Sequence, residues 1–355
     1  MTSPACCRYC TEPLSIVFAD LGVSPLANSI LAPDQLRKME PFFPLQAFVC
    51  QTCHLVQLEE FETPEGIFRD YSYFSSYSDT WLAHCQAYAR RMCEHLGLGL
   101  HSKVVEIASN DGYLLQYFQQ AGVPVLGVEP AANVAKVARA RGIPTEVEFF
   151  GRASASRLAA EGHQADLIVA NNVLAHVPDI NDFVAGFHVL LKERGVATFE
   201  FPHLLNLIEQ AQFDTIYHEH FSYLSLGVIQ RVFASHALTV FDVEELPTHG
   251  GSLRVHARPQ QNGTQPVASA VGDVLAREDA AGLNSMHTYS AFQARVVQVK
   301  LDLLQFLLDA KKQGRTVVGY GAPAKGNTLL NYCGIGPELL AYTVDRSPHK
   351  QSHFL

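Results

Sequence analysis

Residues 104 to 202 alternate short apolar runs with amphipathic segments that end in glycine, and this alternation constrains the fold most. The apolar runs predict strands over 104–108, 125–130, 166–175 and 196–202, with helices between them. Parallel strands need long crossover connections, which such helices supply. The pattern therefore predicts an α/β fold with a mostly parallel, doubly wound sheet covered by helices.

Two cysteine pairs near the N-terminus predict a metal site. Cys7-x-x-Cys10 and Cys50-x-x-Cys53 each place two thiols on one tight turn, and four thiolates are the ligand set of a structural Zn²⁺ site. Cys6 could compete with Cys7, but only Cys7 has the two-residue spacing to Cys10. The alternative is that these are ordinary buried cysteines.

Composition narrows the possible partners. The 355-residue chain has a formal net charge of −9, which argues against a dedicated nucleic-acid-binding protein. No apolar run reaches the roughly 18–20 residues of a membrane span, and MTSPACCRYC does not look like a secretory signal. We therefore expect a cytoplasmic protein with reduced thiols and with no nucleic-acid or membrane partner.

The first strand-to-helix turn carries acidic residues where such sheets bind ligands. Glu106 lies in the strand, Ser109 in the turn, Asp111-Gly112 opens the helix, and Glu129 ends the next strand. The turn lacks the GxGxxG glycines that a dinucleotide pyrophosphate needs. S-adenosylmethionine (SAM) has no phosphate, and its amino-acid and ribose groups suit these residues. The alternative is a helix cap with an exposed strand-end acid.

The strand at 166–175 contains a second polar group. Asn171 and Asn172 should face the ligand crevice, with Asn171 on the substrate side and Asn172 at the cofactor. His176 follows closely and is consistent with an ordinary residue at a helix entry.

The densest titratable cluster is Tyr217-His218-Glu219-His220, followed by Tyr223. Histidine is the natural general base at neutral pH, a neighbouring carboxylate can hold its ring, and a tyrosine hydroxyl can donate to a developing oxyanion. Tyr223 is a candidate substrate contact. A metal pair at His218 and His220 and a purely structural cluster are the alternatives.

Two further motifs have weaker signals. Tyr71, Tyr73, Phe74 and Tyr77 predict either a hinge between domains or a lid over the cofactor and substrate.

The segment GYGAPAKGNT has Gly319, Gly321 and Gly326 between a strand and a helix, and Asp345 ends the next strand. Lys325 and the helix N-terminus could hold the diphosphate of an activated substrate. Alternatively, this is a Rossmann-like domain that binds nothing.

Longer motifs resemble a known family. They are LGVSPLANS between the cysteine pairs, DYSYFSSYSDTW, VVEIASNDGYLLQYF, FDTIYHEHFSYLS, THGGSLRVHA and GYGAPAKGNTLLNY. Together they resemble the zinc-containing, SAM-dependent sugar C-methyltransferases, which act on nucleotide-linked deoxysugars. The resemblance implies a class I methyltransferase core, with His220 as base, Tyr217 and Glu219 as functional neighbours, and Tyr71 as an upstream active-site tyrosine.

The resemblance also implies the reaction and the domain order. We expect methylation at C3 of a dTDP-type 4-keto-deoxysugar through an enolate, by a monomer in which Glu219 orients His220. The expected domains are a zinc-binding module (1–70), the SAM-binding core (71–202), an active-site insert with a linking helix (203–313) and a Rossmann-like α/β domain (314–355). The last is expected to be cut short, since the family's domain continues past the strand ending at Asp345.

Three alternatives remain open from the sequence. They are a SAM-dependent methyltransferase for a non-sugar molecule, a nicotinamide-dependent oxidoreductase using GYGAPAKG, and a zinc-ribbon interaction protein with an inactive methyltransferase core.

Overall fold

The computed structural model describes residues 5–68 and 74–355. The strands are β1 (Ile16–Ser24), β2 (Phe43–Val49), β3 (Val56–Leu58), β4 (Val104–Ile107), β5 (Val125–Val128), β6 (Thr145–Glu146), β7 (Ala165–Asn171), β8 (Leu191–Pro202), β9 (Ser222–Tyr223), β10 (Leu238–Leu246), β11 (Ser252–Pro259), β12 (Gly319–Tyr320) and β13 (Thr343–Val344). The α-helices are α1 (Pro64–Phe68), α2 (Asp79–Leu96), α3 (Leu115–Gln120), α4 (Ala132–Ala140), α5 (Arg152–Ala160), α6 (Ile180–Leu190), α7 (Leu204–Glu209), α8 (Leu226–Ser235), α9 (Ser269–Ala280), α10 (Met286–Ser290), α11 (Phe292–Lys312) and α12 (Ala324–Cys333).

The chain forms two compact units. The first unit contains Met1–Phe61, Leu204–Tyr223 and Glu278–Leu355, and the second contains Glu62–His203 and Leu224–Arg277. Each unit is therefore assembled from segments that are distant in sequence.

The second unit is built on a seven-stranded sheet in the order β10-β11-β8-β7-β4-β5-β6. The five strands from β8 to β6 are parallel, and β11 and β10 add an antiparallel hairpin at one edge. The chain winds outward from β4 through β5 to β6, then returns to β7 and β8. The predicted α/β fold with a doubly wound sheet is confirmed, and its switch point lies between β4 and β7, where such sheets bind ligands.

Helix α2 covers one face of this sheet through buried side chains of Cys85, Tyr88 and Met92. The Ser78 hydroxyl accepts a hydrogen bond from the backbone of Trp81 at the start of the helix. Gly97 ends the helix in the left-handed conformation, with φ of 60°. Both ends therefore use the capping residues that helices favour.

Several predicted boundaries differ from the structure. The strand predicted over 196–202 begins earlier, at Leu191, as β8. The strand predicted over 166–175 ends at Asn171, because Asn172 adopts a positive φ of 52° and turns the chain out of the sheet. The linking helix expected at the end of the 203–313 segment is two helices, α10 and α11, which meet at Ala291.

The first unit contains the four-stranded sheet β1-β2-β3-β9, in which all pairings are antiparallel. Its core joins the sheet to the helices α10 and α11, and the rings of Phe18 and Phe292 stack at 4.5 Å. Strand β9 begins two residues after His220, so the sheet holds the Tyr217–His220 segment at its C-terminal end. A separate pair of parallel strands, β12 and β13, flanks α12 in sequence.

None of the described helices combines the length and the apolar character needed to cross a membrane.

Candidate functional site

The four predicted zinc ligands converge in the first unit. The Sγ atoms of Cys7, Cys10, Cys50 and Cys53 all lie within 4.8 Å of one another. The Cys7–Cys53 and Cys10–Cys50 sulfur pairs are each 3.5 Å apart. Cys50 follows β2 and Cys53 precedes β3, so the hairpin turn supplies half of the ligand set.

The chemistry of this cluster fits zinc. The hydrogen bond between Cys7 and Cys53 lowers the pKa of the Cys7 thiol to about 4 and raises the pKa of the Cys53 thiol, so the thiolate of this pair is favoured on Cys7. The amide of Gln57 also donates to the Cys7 sulfur over 3.2 Å. Cys6 is exposed and lies outside the cluster. Four thiolates complete a tetrahedral set, so the metal would be structural.

The turn Cys7–Cys10, called the zinc knuckle here, is hydrogen-bonded to β3, the strand that pairs with β9 after the histidine cluster. Gln57 accepts from the backbone N–H of Arg8 over 2.9 Å, and the Arg8 guanidinium donates to the carbonyl of Leu58 over 2.5 Å. The same guanidinium lies 5.2 Å from the ring centre of Phe221. The N–H of Leu58 in turn donates to the carbonyl of Phe221 over 3.0 Å. Phe221 directly follows His220, so the metal knuckle helps to fix the start of β9.

In the second unit, the predicted cofactor acids surround the turn after β4. Glu106, Asp111 and Glu129 are all buried. Glu129 accepts hydrogen bonds from the backbone N–H groups of Asn110 at 2.9 Å and Ala131 at 2.8 Å. Each carboxylate oxygen keeps a further lone pair for a ligand hydroxyl. Glu129 therefore both shapes the turn and remains able to bind a ribose.

The turn itself requires left-handed backbone conformations. Ala108, Asn110 and Gly112 have φ values of 57°, 48° and 78°. A Cβ atom on Gly112 would lie 2.9 Å from Cγ1 of Ile143, so only glycine fits there without a shift. The single glycine of this turn is thus explained by packing as well as by the backbone angle.

Several buried polar atoms at this end of the sheet have no hydrogen-bond partner among the described residues. They are both carboxylate oxygens of Glu106, Oγ of Ser109, and one side-chain oxygen each of Asp111, Asn171 and Asn172. Burying unpaired polar atoms is costly unless a ligand satisfies them. Four of the six predicted cofactor residues contribute to this set, all but Gly112 and Glu129. A set of buried, unpaired polar atoms fits a polar cofactor such as SAM.

Electrostatics in the turn favours a cationic ligand. Burial raises the pKa of Glu106 well above its usual value, and the neighbouring charges of Asp111 and Glu129 act in the same direction. Arg141 pairs with Asp111 at 3.1 Å and offsets part of this charge. The sulfonium and ammonium groups of SAM would offset more of it.

Two serines at this site were missed by the sequence analysis, which emphasised the aromatic residues around them. The backbone N–H of Ser75 donates to the side-chain oxygen of Asn110 over 2.9 Å, and the Ser76 hydroxyl bonds Asp111. Tyr77 is 65% exposed. The predicted lid residues Tyr71 and Tyr73, including the predicted catalytic Tyr71, lie outside the described residues.

The histidine cluster belongs to the first unit, and its geometry distinguishes the two histidines. Nδ1 of His220 lies 2.8 Å from the carbonyl oxygen of Thr215. A carbonyl can only accept, so Nδ1 carries the proton and the lone pair of the neutral ring is on Nε2. The ring of Tyr217 lies 4.0 Å from that of His220 between centres. This arrangement prepares Nε2 of His220 to accept a proton.

His218 has a structural environment instead. It is buried, its Nε2 donates to the carbonyl of Pro44 over 3.1 Å, and the rings of Phe43 and Phe61 meet it edge-on. Burial lowers its pKa. Within the described residues, the four cysteines are the only group of three or more potential metal ligands, which disfavours a metal pair at His218 and His220.

Glu219 is held by a residue that the sequence analysis did not single out. Its carboxylate is buried and accepts from the side-chain amide of Asn28 over 2.7 Å. Burial raises the pKa of Glu219, and the Asn28 bond acts against this. The carbonyl of Thr215 bonds Nδ1 of His220, and the expectation that Glu219 orients the His220 ring stays a prediction.

The two predicted substrate contacts of the first unit differ. Tyr223 is buried in β9, 6.3 Å from the ring centre of His220, and burial raises its pKa well above the usual value. Lys325 lies near Asp214, where its charge lowers the pKa of the Asp214 carboxyl that burial raises. In the loop before Lys325, the N–H of Ala322 donates to Asp345 over 2.8 Å, so this donor is not available to a diphosphate.

A buried ionic network in the second unit was also missed. Glu200 is fully buried at the end of β8 and accepts from Arg254 at 2.7 Å, His84 at 3.0 Å and Thr248 at 2.9 Å. Burial alone would raise its pKa, but His84 and Arg254 hold it below the usual value. These partners come from three separate segments, so no local sequence pattern predicts the network.

Comparison with known proteins shows the family. The chain is 36% identical over 349 residues to C-methyltransferase NovU of Streptomyces niveus, an alignment that covers 98% of this chain and 83% of NovU. This chain belongs to the C-methyltransferase family.

Family models agree with this along the chain. This C-methyltransferase matches models described as "Putative zinc binding domain" over 7–68, "Methyltransferase domain" over 81–242 and "C-methyltransferase C-terminal domain" over 247–355. The predicted SAM-dependent C-methyltransferase activity, with a structural zinc site, is therefore confirmed, and the oxidoreductase and inactive-core alternatives are not supported.

Other relatives are more distant. The C-methyltransferase is 30% identical over 95 residues to the ubiquinone biosynthesis O-methyltransferase of Bartonella quintana, covering 26% of this chain and 38% of that protein. A magnesium protoporphyrin IX methyltransferase structure from Synechocystis PCC 6803 with bound SAH is 14% identical, with a TM-score of 0.40, and covers 50% of this chain and 82% of that one.

Proposed function

We propose that this C-methyltransferase methylates C3 of a nucleotide-activated 4-keto-deoxysugar, using His220 as the general base. The observation that carries the proposal is the 2.8 Å bond from Nδ1 of His220 to the carbonyl of Thr215, which leaves the lone pair on Nε2. The sugar class rests on the family resemblance of the sequence motifs.

The C4 ketone of the proposed substrate makes the neighbouring C3 carbon acidic. A carbon next to a carbonyl can lose a proton to give an enolate, which is a competent nucleophile. In the proposed reaction, Nε2 of His220 takes the C3 proton while the electron pair moves to the C4 oxygen. A general base of this kind typically contributes about 10²–10⁴-fold to the rate.

The neighbours of His220 support the charges that develop. The Thr215 carbonyl bonds the imidazolium once Nε2 is protonated, and such charge-assisted bonds are stronger than neutral ones. We propose Tyr217 as the donor to the enolate oxygen and Glu219 as a nearby negative charge that favours the imidazolium. Tyr71 is proposed as a further active-site tyrosine on the resemblance alone.

SAM, when bound, supplies an electrophilic methyl group, which the C3 carbon attacks as the sulfur–methyl bond breaks. The buried polar set of Glu106, Ser109, Asp111 and Asn172 would hold it, with Glu129 on the ribose. Gly112 permits the left-handed conformation of this turn and its close packing against Ile143.

Further parts of the proposal concern the substrate and its setting. Asn171, Tyr223 and Lys325 are proposed substrate contacts, the nucleotide is proposed to be of the dTDP type, and the enzyme is proposed to act as a cytoplasmic monomer. We also propose the division into 1–70, 71–202, 203–313 and 314–355 as functional segments.

The test is a product analysis. The full chain with SAM is offered a panel of dTDP-linked 4-keto-deoxysugars, and each sugar reduced to the 4-hydroxyl serves as its matched control. We expect one added methyl group, placed on C3 by NMR, for a ketosugar and none for its reduced counterpart. Methylation of the reduced sugar, methylation on oxygen, or turnover only of a non-sugar ketone would overturn the proposal.

A further inference from the structure

Two adjacent polar residues to which the proposed function gives no role are buried in the middle of helix α12. Asn327 is 2% exposed and Thr328 is 1% exposed. Neither residue type favours a helix interior, and a buried polar side chain is costly unless it is paired. Their partners therefore indicate why this helix carries them.

Each of the two side chains donates to a backbone carbonyl far away in sequence. The Asn327 amide donates to the carbonyl of Ala27 over 3.1 Å, and the Thr328 hydroxyl donates to the carbonyl of Ile216 over 3.2 Å. Asn331 donates to the side-chain oxygen of Asn327 over 2.6 Å, which fixes the amide so that its nitrogen faces Ala27. All of these residues belong to the first unit.

These two carbonyls are next in sequence to the residues that bond His220 and Glu219, the proposed catalytic pair. Ala27 precedes Asn28, whose amide holds Glu219, and Ile216 follows Thr215, whose carbonyl holds His220. Packing supports the same segment, since Tyr332 of α12 lies 5.3 Å from Phe213 between ring centres. One face of α12 thus contacts both backbone segments on which the histidine and the glutamate depend.

We propose that Asn327 and Thr328 are positioning residues for the catalytic pair. Thr328 fixes the segment whose carbonyl selects the Nδ1–H form of His220, and Asn327 fixes the loop that presents Asn28 to Glu219. The inference rests on the proposed role of His220 as base. The GYGAPAKGNT motif then contributes a scaffold to the active site, through residues that touch no reacting atom.

The test compares isosteric variants of the full-length enzyme. Thr328→Val replaces the hydroxyl with a methyl group of similar size, and Thr328→Ser keeps the hydroxyl. Tyr289→Phe is the matched control, because the buried Tyr289 hydroxyl also donates to a carbonyl, that of Leu283 at 2.7 Å, in the same unit. Measurements are kcat, KM for SAM, the melting temperature and the tautomer of His220 by NMR of ¹⁵N-labelled histidine.

We expect Thr328→Val to lower kcat by about tenfold, since small misplacements of a catalytic group are costly, with little change in KM for SAM. The His220 signal, identified by its loss in His220→Gln, should shift from the Nδ1–H form to a mixture. Thr328→Ser should retain the wild-type kcat and the Nδ1–H form of His220. Tyr289→Phe should change neither, although it lowers the melting temperature. Asn327→Ala should lower kcat without changing the tautomer.

Two results would overturn the inference. One is a Thr328→Val enzyme with the wild-type kcat and tautomer, and the other is an equal loss of kcat in Tyr289→Phe. An active His220→Gln enzyme would instead remove His220 as the base, and the tautomer shift in Thr328→Val would then decide alone whether Thr328 orients the ring.

Discussion

The side-chain amide of Asn28 donates a 2.7 Å hydrogen bond to the carboxylate of Glu219, a residue 191 positions away in the sequence. Glu219 is buried, and burial raises its pKa, whereas the bond from Asn28 lowers it. Asn28 therefore favours the ionised form of Glu219, the residue next to the proposed base His220.

Asn28→Ala should make Glu219 harder to ionise. Without the amide donor the pKa of Glu219 rises further. On acidification, the carboxylate is therefore protonated at a higher pH than in the wild-type enzyme. The acidic limb of the kcat–pH profile should therefore move to higher pH. Asn284→Ala, which removes a surface bond to Asp279, is the control and should leave the profile in place. An unchanged limb in Asn28→Ala would show that the ionisation of Glu219 is not needed for turnover.

The two histidines of the cluster should respond differently to the same substitution. His220→Gln should lower kcat by about 10²–10⁴-fold, because the variant has no general base. His218→Gln should mainly lower the melting temperature, since His218 is packed between Phe43 and Phe61. Turnover assays, thermal melts and SAM titration calorimetry separate these effects. Equal losses of kcat at constant stability would contradict the assignment.

Zinc content should follow the cysteine cluster and not the neighbouring thiol. Cys50→Ser removes one of the four ligands and should abolish stoichiometric zinc, whereas Cys6→Ser should retain one zinc per chain. Because Gln57 and Arg8 join the knuckle to Leu58 and Phe221, zinc loss should also reduce kcat. Elemental analysis and turnover assays measure both effects. Full zinc in Cys50→Ser would exclude the four-cysteine site.

Glu129→Gln should weaken SAM binding. The amide presents only one acceptor oxygen, whereas the carboxylate accepts from Asn110 and Ala131 on its two oxygens. We expect the Kd for SAM to rise by about tenfold, which corresponds to about 1.4 kcal/mol. Glu161→Gln, at an exposed helix pair with Arg157, is the control for calorimetry. A wild-type Kd in Glu129→Gln would remove this residue from the cofactor site.

Glu200→Gln should destabilise the second unit. Arg254 is 2% exposed, and the loss of Glu200 leaves its guanidinium with the more distant Glu244 carboxylate at 3.6 Å. Removing one partner of a buried ion pair typically costs about 3–5 kcal/mol. Asp34→Asn, in the exposed pair with Lys38, should leave the unfolding free energy unchanged. Urea unfolding measures both.

The same network has a predictable pH dependence. The pKa of Glu200 is lower in the folded protein than its usual value, so its stabilisation is present above the unfolded pKa. It should be lost as the pH falls through the lower, folded pKa. Glu200→Gln should therefore flatten the decline of stability with acid, and an unchanged decline would mean that other carboxyls cause it.

Local pattern was sufficient for most of the architecture. The alternation over 104–202 predicted the parallel sheet, because crossover helices and buried strands leave a regular spacing of apolar residues. The cysteine spacing predicted the metal cluster for a similar reason, since one tight turn presents two thiols. Backbone angles were less accessible, and the positive φ of Asn172, which ends β7 early, has no clear signal in a single sequence.

Some site residues could be predicted from local pattern, and others could be recognised only in the folded structure. Glu106, Asp111 and Glu129 lie at strand ends, where a sheet of this kind places its ligands, so their positions followed from topology. Asn28 and the carbonyl of Thr215 became visible only with the fold, as did the bonds of Glu200 to Arg254 and His84. Each of these contacts joins groups through hydrogen bonds that depend on three-dimensional position.

By itself the sequence determined the fold class, the zinc ligands, the cofactor turn and the chemical types in the histidine cluster, because these depend on residue identity over short spans. Only the tertiary structure decided which histidine has its lone pair on Nε2, what holds Glu219, and what Asn327 and Thr328 contact. Ring tautomers and buried hydrogen bonds are set by atoms brought together from distant segments, and hydrogen bonds require distances near 3 Å that no spacing along the chain encodes.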